Sequence, residues 1–224
     1  MATKTELFTL TTELLDGVEM NETLFDAFLD ISQSIRENDR NWVILRASDI
    51  TQSLTPANTY LTSHDLPSDF RKWYSQTPVV LVDSDGNVQA KLREIPIQAR
   101  DDYKNDNVFY CDYAAKKIYL CGSYPQPLTI KQYYQKKSPL VSDGADEWLF
   151  PTEYHKILAF DAAVFFKLGV DYDVINNQQA NSNAAVSNQL FNALKETDNE
   201  LQLSSLGGQD YSNNFGGSPS FGRI

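Results

Sequence analysis

Val79-Val80-Leu81-Val82-Asp83-Ser84-Asp85-Gly86-Asn87-Val88-Gln89-Ala90-Lys91-Leu92 decides how the middle of this 224-residue chain is read. Four consecutive apolar residues, three of them β-branched, run into a short polar segment, and a second run leaves it. Asp85-Gly86 supplies a residue that adopts positive φ without steric penalty, so the chain can fold back on itself there. The stretch predicts a β-hairpin.

The same signals recur on both sides of it. Trp42 to Leu45, Val108 to Tyr113, Lys117 to Cys121 and Leu128 to Tyr134 are rich in β-branched and aromatic residues and are bounded by Pro, Gly, Asp or Asn. Ile97 to Lys104 reads as a short helix or turn between strands. A small β-rich domain is therefore expected over residues 41–140. Cys111 and Cys121, the only cysteines, fall in the two arms of a second hairpin joined around Ala114-Ala115-Lys116, where they are candidates for cross-strand neighbours. Without a Cys-x-x-Cys pair or a dense cysteine framework, two reduced thiols are expected.

Helical spacing takes over at both ends. Leu7, Leu10, Leu14 and Leu15 precede Gly17, which suits a helix stop, and Asn21 suits the N-cap of a second helix striped by Leu24, Phe25, Phe28, Leu29, Ser32 and Ile35. Downstream, Pro151 fits the first turn of a helix whose face carries Tyr154, Ile157, Leu158, Asp161, Ala162, Phe165 and Leu168. Asp171 or Asp173 can cap a long helix from about Tyr172 to about Leu203, some 48 Å at about 1.5 Å per residue. Its middle, Gln178 to Ala185, is small and polar where a self-contained bundle would place Leu or Ile. Either solvent or a neighbouring subunit covers that side. The fold class expected is α+β: a helical bundle from residues 1–40 and 141–203, an inserted β-rich domain at 41–140, and an extended C-terminal arm at 204–224. In that arm Gly, Ser and Asn separate Tyr211, Phe215, Phe221, Arg223 and Ile224, which read as anchors for a partner or as a plain disordered end.

Composition narrows the function. A net charge of −11 with a pI near 4.6 argues against tight phosphate binding, which needs Lys and Arg to neutralise phosphates. No run of about 20 apolar residues is present to cross a bilayer. The first residues lead into an amphipathic stretch rather than a signal core, so cytoplasmic synthesis is expected. Phosphate-binding glycine loops, a nucleophile elbow and a His-Glu-x-x-His helix are all missing from the sequence. His64 and His155 sit in different segments, His64 in a polar loop, and neither pairs with carboxylates at a metal-binding spacing. Asp83-Ser84-Asp85-Gly86 with Glu94 resembles a calcium loop at its first and twelfth positions, but Val88 takes the place where glycine is needed and Lys91 puts a positive charge at the ninth. Asp101-Asp102 and Asp146-Glu147 are carboxylate pairs of the kind a glycosidase uses, and are read as turn and surface charges. No catalytic residue, metal site or cofactor is assigned.

What remains is a succession of short motifs. Tyr60 and Leu66-Pro67-Ser68-Asp69-Phe70 come first, then Ile118-Tyr119-Leu120 with Pro125 and Pro127, then Tyr133-Tyr134 and Pro139-Leu140. Trp148-Leu149-Phe150-Pro151 and Tyr154-x-x-Ile157-x-Ala159 close the series. In this order, over roughly residues 8 to 203, the chain resembles the head-to-tail adaptor, or connector, proteins of short-tailed bacteriophages. The resemblance implies a non-enzymatic virion protein at the head-tail interface, assembled in the host cytoplasm. It implies a ring of twelve copies that docks under the portal protein, extends the DNA channel without gripping DNA, and offers a platform to a tail nozzle, fibre or tube protein. A different neck or tail component without portal contact, and a small cytoplasmic hydrolase, are the competing readings.

Overall fold

The computed structural model describes residues 3–16, 18–55, 61–144, 148–169 and 174–207. The chain is α+β, with two N-terminal helices, an eight-stranded mixed sheet and two C-terminal helices, the last one long. Two compact units divide it: residues 1–32 with 150–224, and residues 33–149. Gly17, Tyr60, Asp146, Glu147, Asp171, Tyr172, Asp173 and the arm from residue 208 lie outside the described residues.

In the helical unit, α1 (Lys4–Leu14) starts at a capping box. The Glu6 amide donates to Thr3 Oγ1 at 3.3 Å and the Thr3 amide donates to Glu6 Oε2 at 2.9 Å, which satisfies two backbone donors of the first turn. Leu7 and Thr11 are its buried residues, Leu15 at its C-cap is buried too, and Phe8 meets Phe25 edge-on at 5.0 Å. α2 (Glu22–Asn38) opens as expected on Asn21, whose Oδ1 accepts the Leu24 amide at 2.8 Å. Phe25, Leu29 and Ser32 are buried along it, but Ile35 is 53% exposed and so falls off the expected stripe. Seen from Phe25, position 35 is ten residues on, about 1000° of helical rotation, which carries it round to the solvent side.

Pro151 does not open the third helix directly. It precedes a 3-10 turn, Thr152–Tyr154, and α3 (Lys156–Gly169) follows. Its buried face is Ile157, Leu158, Asp161, Ala162 and Phe166, while Leu168 is 47% exposed, contrary to the sequence pattern. α4 (Val174–Gly207) has 34 residues, about 51 Å, and continues past the expected end at Leu203. Its inner side is thin, as its composition foretold: among the described side chains Ala180, Ser187, Phe191, Leu194 and Asp198 are the buried positions, at steps of seven, four, three and four.

In the second unit the strands are β1 (Arg46–Leu54), β2 (Ser63–Asp65), β3 (Phe70–Trp73), β4 (Val79–Val82), β5 (Val88–Glu94), β6 (Val108–Asp112), β7 (Lys117–Leu120) and β8 (Leu128–Lys136). Their order is β1-β8-β4-β5-β6-β7-β2, with β3 also on β8, and only the β5–β6 pair is parallel. Trp42 to Leu45 is not a strand. Trp42 and Leu45 are fully buried in a turn closed by the Arg46 amide donating to Val43 O at 3.1 Å, and Trp42 Nε1 donates to Arg36 O at 3.2 Å. The strand begins only where that apolar run ends.

The β4–β5 hairpin forms as predicted. Gly86 takes φ +83°, its amide donating to Asp83 O at 3.1 Å, and the register slips by one residue after Leu81. Inward side chains of β1, β4, β5, β6, β7 and β8 make one core, with Leu54, Val79, Leu81, Leu92, Phe109, Ile118, Leu120 and Ile130 among them. The sheet is nearly closed into a barrel, because its end strands are bridged. Gln52 of β1 accepts the Asp65 amide of β2 at 3.0 Å through Oε1 and donates back to Asp65 O through Nε2. Gln132 of β8 donates to the same carbonyl at 3.0 Å.

Candidate functional site

The side chains considered for chemistry do not converge. His64 lies in β2 opposite Ile118, not in a polar loop, and is 7% exposed among barrel side chains. Burial lowers its pKa, and Nε2 has no hydrogen-bond partner. His155 belongs to the helical unit, where Nε2 meets Phe150 O at 2.7 Å. Among the described residues no group of three or more His, Cys, Asp and Glu gathers as a metal site would require.

The calcium-like loop is used up by its own turn. Asp83 Oδ1 accepts the amides of Asp85 and Asn87 at 3.0 and 2.8 Å, Gln89 Nε2 donates to Oδ2 at 2.7 Å, and these bonds hold its pKa below the usual carboxylate range. Glu94 at the far end accepts the Tyr113 hydroxyl at 2.7 Å. Asp101 and Asp102 are exposed on a turn rather than facing each other across a cleft, and Asp146-Glu147 lies outside the described residues.

Cys111 and Cys121 are both free and are not neighbours. Cys111 pairs with Ile118 in the register and packs on the barrel core, while Cys121 joins Ile95, Val108 and Tyr110 in a second cluster. The intervening parity puts them on opposite faces of the sheet. Burial pushes the Cys111 thiol up to about 12 and raises that of Cys121, so neither is a ready nucleophile.

The motif residues themselves form framework. Phe70 packs edge-on against Trp73 at 4.5 Å and near Tyr134 at 5.8 Å, and the Tyr134 hydroxyl donates to Asp69 Oδ1 at 2.7 Å. Ile118 and Leu120 are core residues, while Tyr119 between them stacks on Tyr110 at 4.8 Å on the other face. Trp148 Nε1 donates to Glu37 Oε1 at 3.0 Å, Gln33 Nε2 donates to the same oxygen at 3.3 Å, and Arg71 ion-pairs with Glu37 Oε2. Glu37 is 2% exposed, so a buried charge is fully engaged there. In the helical unit the Tyr154 hydroxyl and Thr197 Oγ1 lie 2.8 Å apart. A second polar node sits between α2, α3 and α4. Asp161 accepts the hydroxyls of Ser32 and Ser187, each at 2.6 Å.

Sequence reading placed Asp161 on the inner face but missed its two serines, and missed Glu37 with Arg71. The available signal was a carboxylate in a run of apolar helix positions, which must find donors if it is buried.

Two concave features adjoin the Leu66-to-Phe70 motif. One, open and about 420 Å³, includes Pro67, Ser68, Asp69 and Tyr134. The other, more enclosed, has a volume of about 230 Å³ and is lined by Leu66, Pro67, Ser68, Phe70, Arg71, Tyr113 and Lys116. Ligand pockets generally run to about 300–1,000 Å³, so this one has room for a partner's side chain rather than a substrate. Tyr211, Phe215, Phe221, Arg223 and Ile224, assigned to partner binding, lie outside the described residues.

Compared with known proteins, residues 5–211 match a family model described as SU10 adaptor protein. No curated protein matches the chain.

Proposed function

Because the chain belongs to the SU10 adaptor protein family, a phage head-to-tail adaptor family, we propose that it docks on the portal ring, extends the DNA channel and presents the platform on which the tail assembles. The family match over nearly the whole chain carries this reading, since it spans both the helical segments and the strands. A structural role in the virion and partners among virion proteins follow from the family. Among the described residues no helix is long and apolar enough to cross a membrane.

Twelve copies form the ring, matching a portal, and the β-rich segment at 41–140 is an insertion within a helical bundle, turned outward or toward a tail nozzle, fibre or tube protein. DNA passes through without specific binding, which a net charge of −11 per copy favours. The arm from Gln209 to Ile224 anchors by lying along the portal or a neighbouring adaptor subunit. Its aromatic residues each bury apolar surface at about 25 cal/mol per Å² on docking, against an ordering cost of about 1–2 kcal/mol per fixed residue. Several anchors must therefore engage together.

Electron cryomicroscopy of the protein bound to its portal tests the reading. A closed ring stacked on the portal, absent from the isolated chain by mass measurement, is the expected result. Removing residues 205–224 should leave the melting temperature nearly unchanged and sharply reduce portal attachment. A stable dimer indifferent to portal would overturn the adaptor reading, and undiminished docking of the shortened chain would remove the arm from it.

A further inference from the structure

Charge is not spread evenly along this acidic chain. The unit of residues 1–32 and 150–224 contains five Lys and Arg against fifteen Asp and Glu, a formal −10, whereas residues 33–149 contain fourteen against fifteen, a formal −1. Within the second unit some cations are matched locally. Arg71 pairs with Glu37, Lys117 with Asp65 at 2.8 Å, and Arg100 approaches Asp101 at 3.8 Å.

Others are not. Arg46, Lys91, Arg93 and Lys131, among them, have no carboxylate partner among the described residues, and they belong to β1, β5 and β8, which with β4 lie side by side in the sheet. The register sets them on the outer face. Val80 stands opposite Lys131 on one side and Lys91 on the other, and Lys131 alternates with the inward residues Ile130 and Gln132. Arg93 is two residues beyond Lys91 and so shares its face.

Tyrosines lie against three of these cations. The Arg46 guanidinium lies 5.2 Å from the Tyr74 ring, Lys131 Nζ lies 5.1 Å from the Tyr133 ring, and the Arg93 guanidinium lies 5.2 Å from the Tyr103 ring. Tyr74 and Tyr133 in turn meet edge-on at 6.3 Å. Arg46 Nε is buried without a hydrogen-bond acceptor. Burial raises the Tyr74 pKa, and the charges that oppose this are Arg46 and Lys131, with no carboxylate acting on it. The result is a cation-tyrosine band with no ion pair of its own among the described residues.

We propose that this band, with Arg46, Lys91, Arg93 and Lys131 as its charges, docks against the acidic helical unit of a second copy of the chain. The complement is present in every copy: Glu6, Glu13, Asp16, Glu19 and Glu22 are exposed along the N-terminal helical pair, where Lys4 is the one cation among the first 32 residues. A duplex would also meet cations and aromatic faces here, but it would approach a molecule of net charge −11, and four cations do not offset that field. Contact between two different patches of identical molecules is head-to-tail and repeats, closing into a ring where the rotation allows. Buried charge complementarity of this kind sets orientation and partner choice more than raw affinity. The inference stands apart from portal docking, and the free chain alone tests it.

A carbodiimide joins lysine amines to carboxylates only where they touch. Full-length chain, half of it ¹⁵N-labelled, is cross-linked at high concentration and low salt, and mixed-isotope peptides are read by mass spectrometry. Peptides joining Lys91 or Lys131 to Glu13, Asp16, Glu19 or Glu22 of the other isotope are expected, and should fall about fivefold or more in Arg46→Glu/Arg93→Glu, which keeps both lysines. Circular dichroism verifies that this variant is folded. Absence of those peptides overturns the proposal, as does an unchanged yield in the variant. A labelled DNA duplex bound by the wild type and released by the variant would overturn it in favour of nucleic acid. A chain that binds portal yet lacks the cross-links loses this inference alone.

Discussion

Gln52 of β1 and Asp65 of β2 exchange two hydrogen bonds, the carboxamide of one residue doing for the other what an opposing peptide group does inside a ladder. A side chain thus joins the two ends of a path of strands that backbone pairing leaves apart. Substituting Gln52 by Ala removes both bonds while leaving the barrel core of Leu81, Phe109 and Ile130 in place. The expected loss is about 1–2 kcal/mol in urea unfolding. Faster hydrogen exchange at the Asp65 amide is its local signature, and unchanged exchange would show that the bridge holds nothing.

Asp161 is the corresponding device among the helices. Changing it to Ala strands two buried hydroxyls, Ser32 and Ser187, both at 0% exposure, and should cost about 2–4 kcal/mol. The triple variant Ser32→Ala/Asp161→Ala/Ser187→Ala removes the whole node and should recover part of that loss. Thermal unfolding of the single and triple variants decides it. Additive losses would mean that the three groups do not act as a network.

Gly122 is needed for space rather than for backbone freedom. A Cβ there would fall on the ring and hydroxyl of Tyr124, which is 8% exposed and donates to Asn107 Oδ1 at 3.3 Å. Gly122→Val should lower stability by about 1–3 kcal/mol through overpacking. The variant Gly122→Val/Tyr124→Leu, which withdraws the ring hydroxyl, should lose less than the sum of the two single changes. A Gly122→Val protein as stable as the wild type would show that the ring moves aside without cost.

His64 gives stability a pH dependence of definite sign. Burial lowers its pKa in the folded chain below the ordinary 6.5, so between those two values the unfolded chain binds more protons. Stability contributed by the neutral imidazole is complete above about pH 6.5 and is lost as pH falls below it toward the folded value. His64→Gln should therefore flatten part of the decline in unfolding free energy between about pH 7.5 and 5. Parallel curves for wild type and variant across that range would assign the decline to other groups.

The hairpin at Val79 to Leu92 was legible because turn chemistry and strand propensity agree there, and Asn21 was legible as a cap because its side chain acts locally. β1 was not. Arg46–Leu54 reads Arg-Ala-Ser-Asp-Ile-Thr-Gln-Ser-Leu, with polar residues at most positions, and its strand character comes from lying against β8 rather than from its own pattern. Trp42 to Leu45 misled for the opposite reason, since a fully apolar turn and a buried strand look alike over four residues. Ile35 and Leu168 are apolar residues on the outside, which periodicity alone cannot separate from core. As for the site, the motif series points to framework residues such as Phe70, Ile118 and Trp148, whereas the uncompensated cations of the outer face follow no sequence spacing and emerge only from strand register.

β8 is the last strand of its unit to be made, yet β1, β3 and β4 all depend on it. Arg46 pairs with Gln135, so a segment finished early must wait for one translated some ninety residues later. At about 5–20 residues per second, that delay is roughly 4–18 seconds for each nascent chain. During it β1 is an unpaired strand with a polar sequence, Arg-Ala-Ser-Asp at its start, which resists pairing with other chains better than an apolar one would. The weak strand signal that hid β1 from sequence reading thus also gives other chains little apolar edge to pair with before β8, its backbone partner among the described residues, is made.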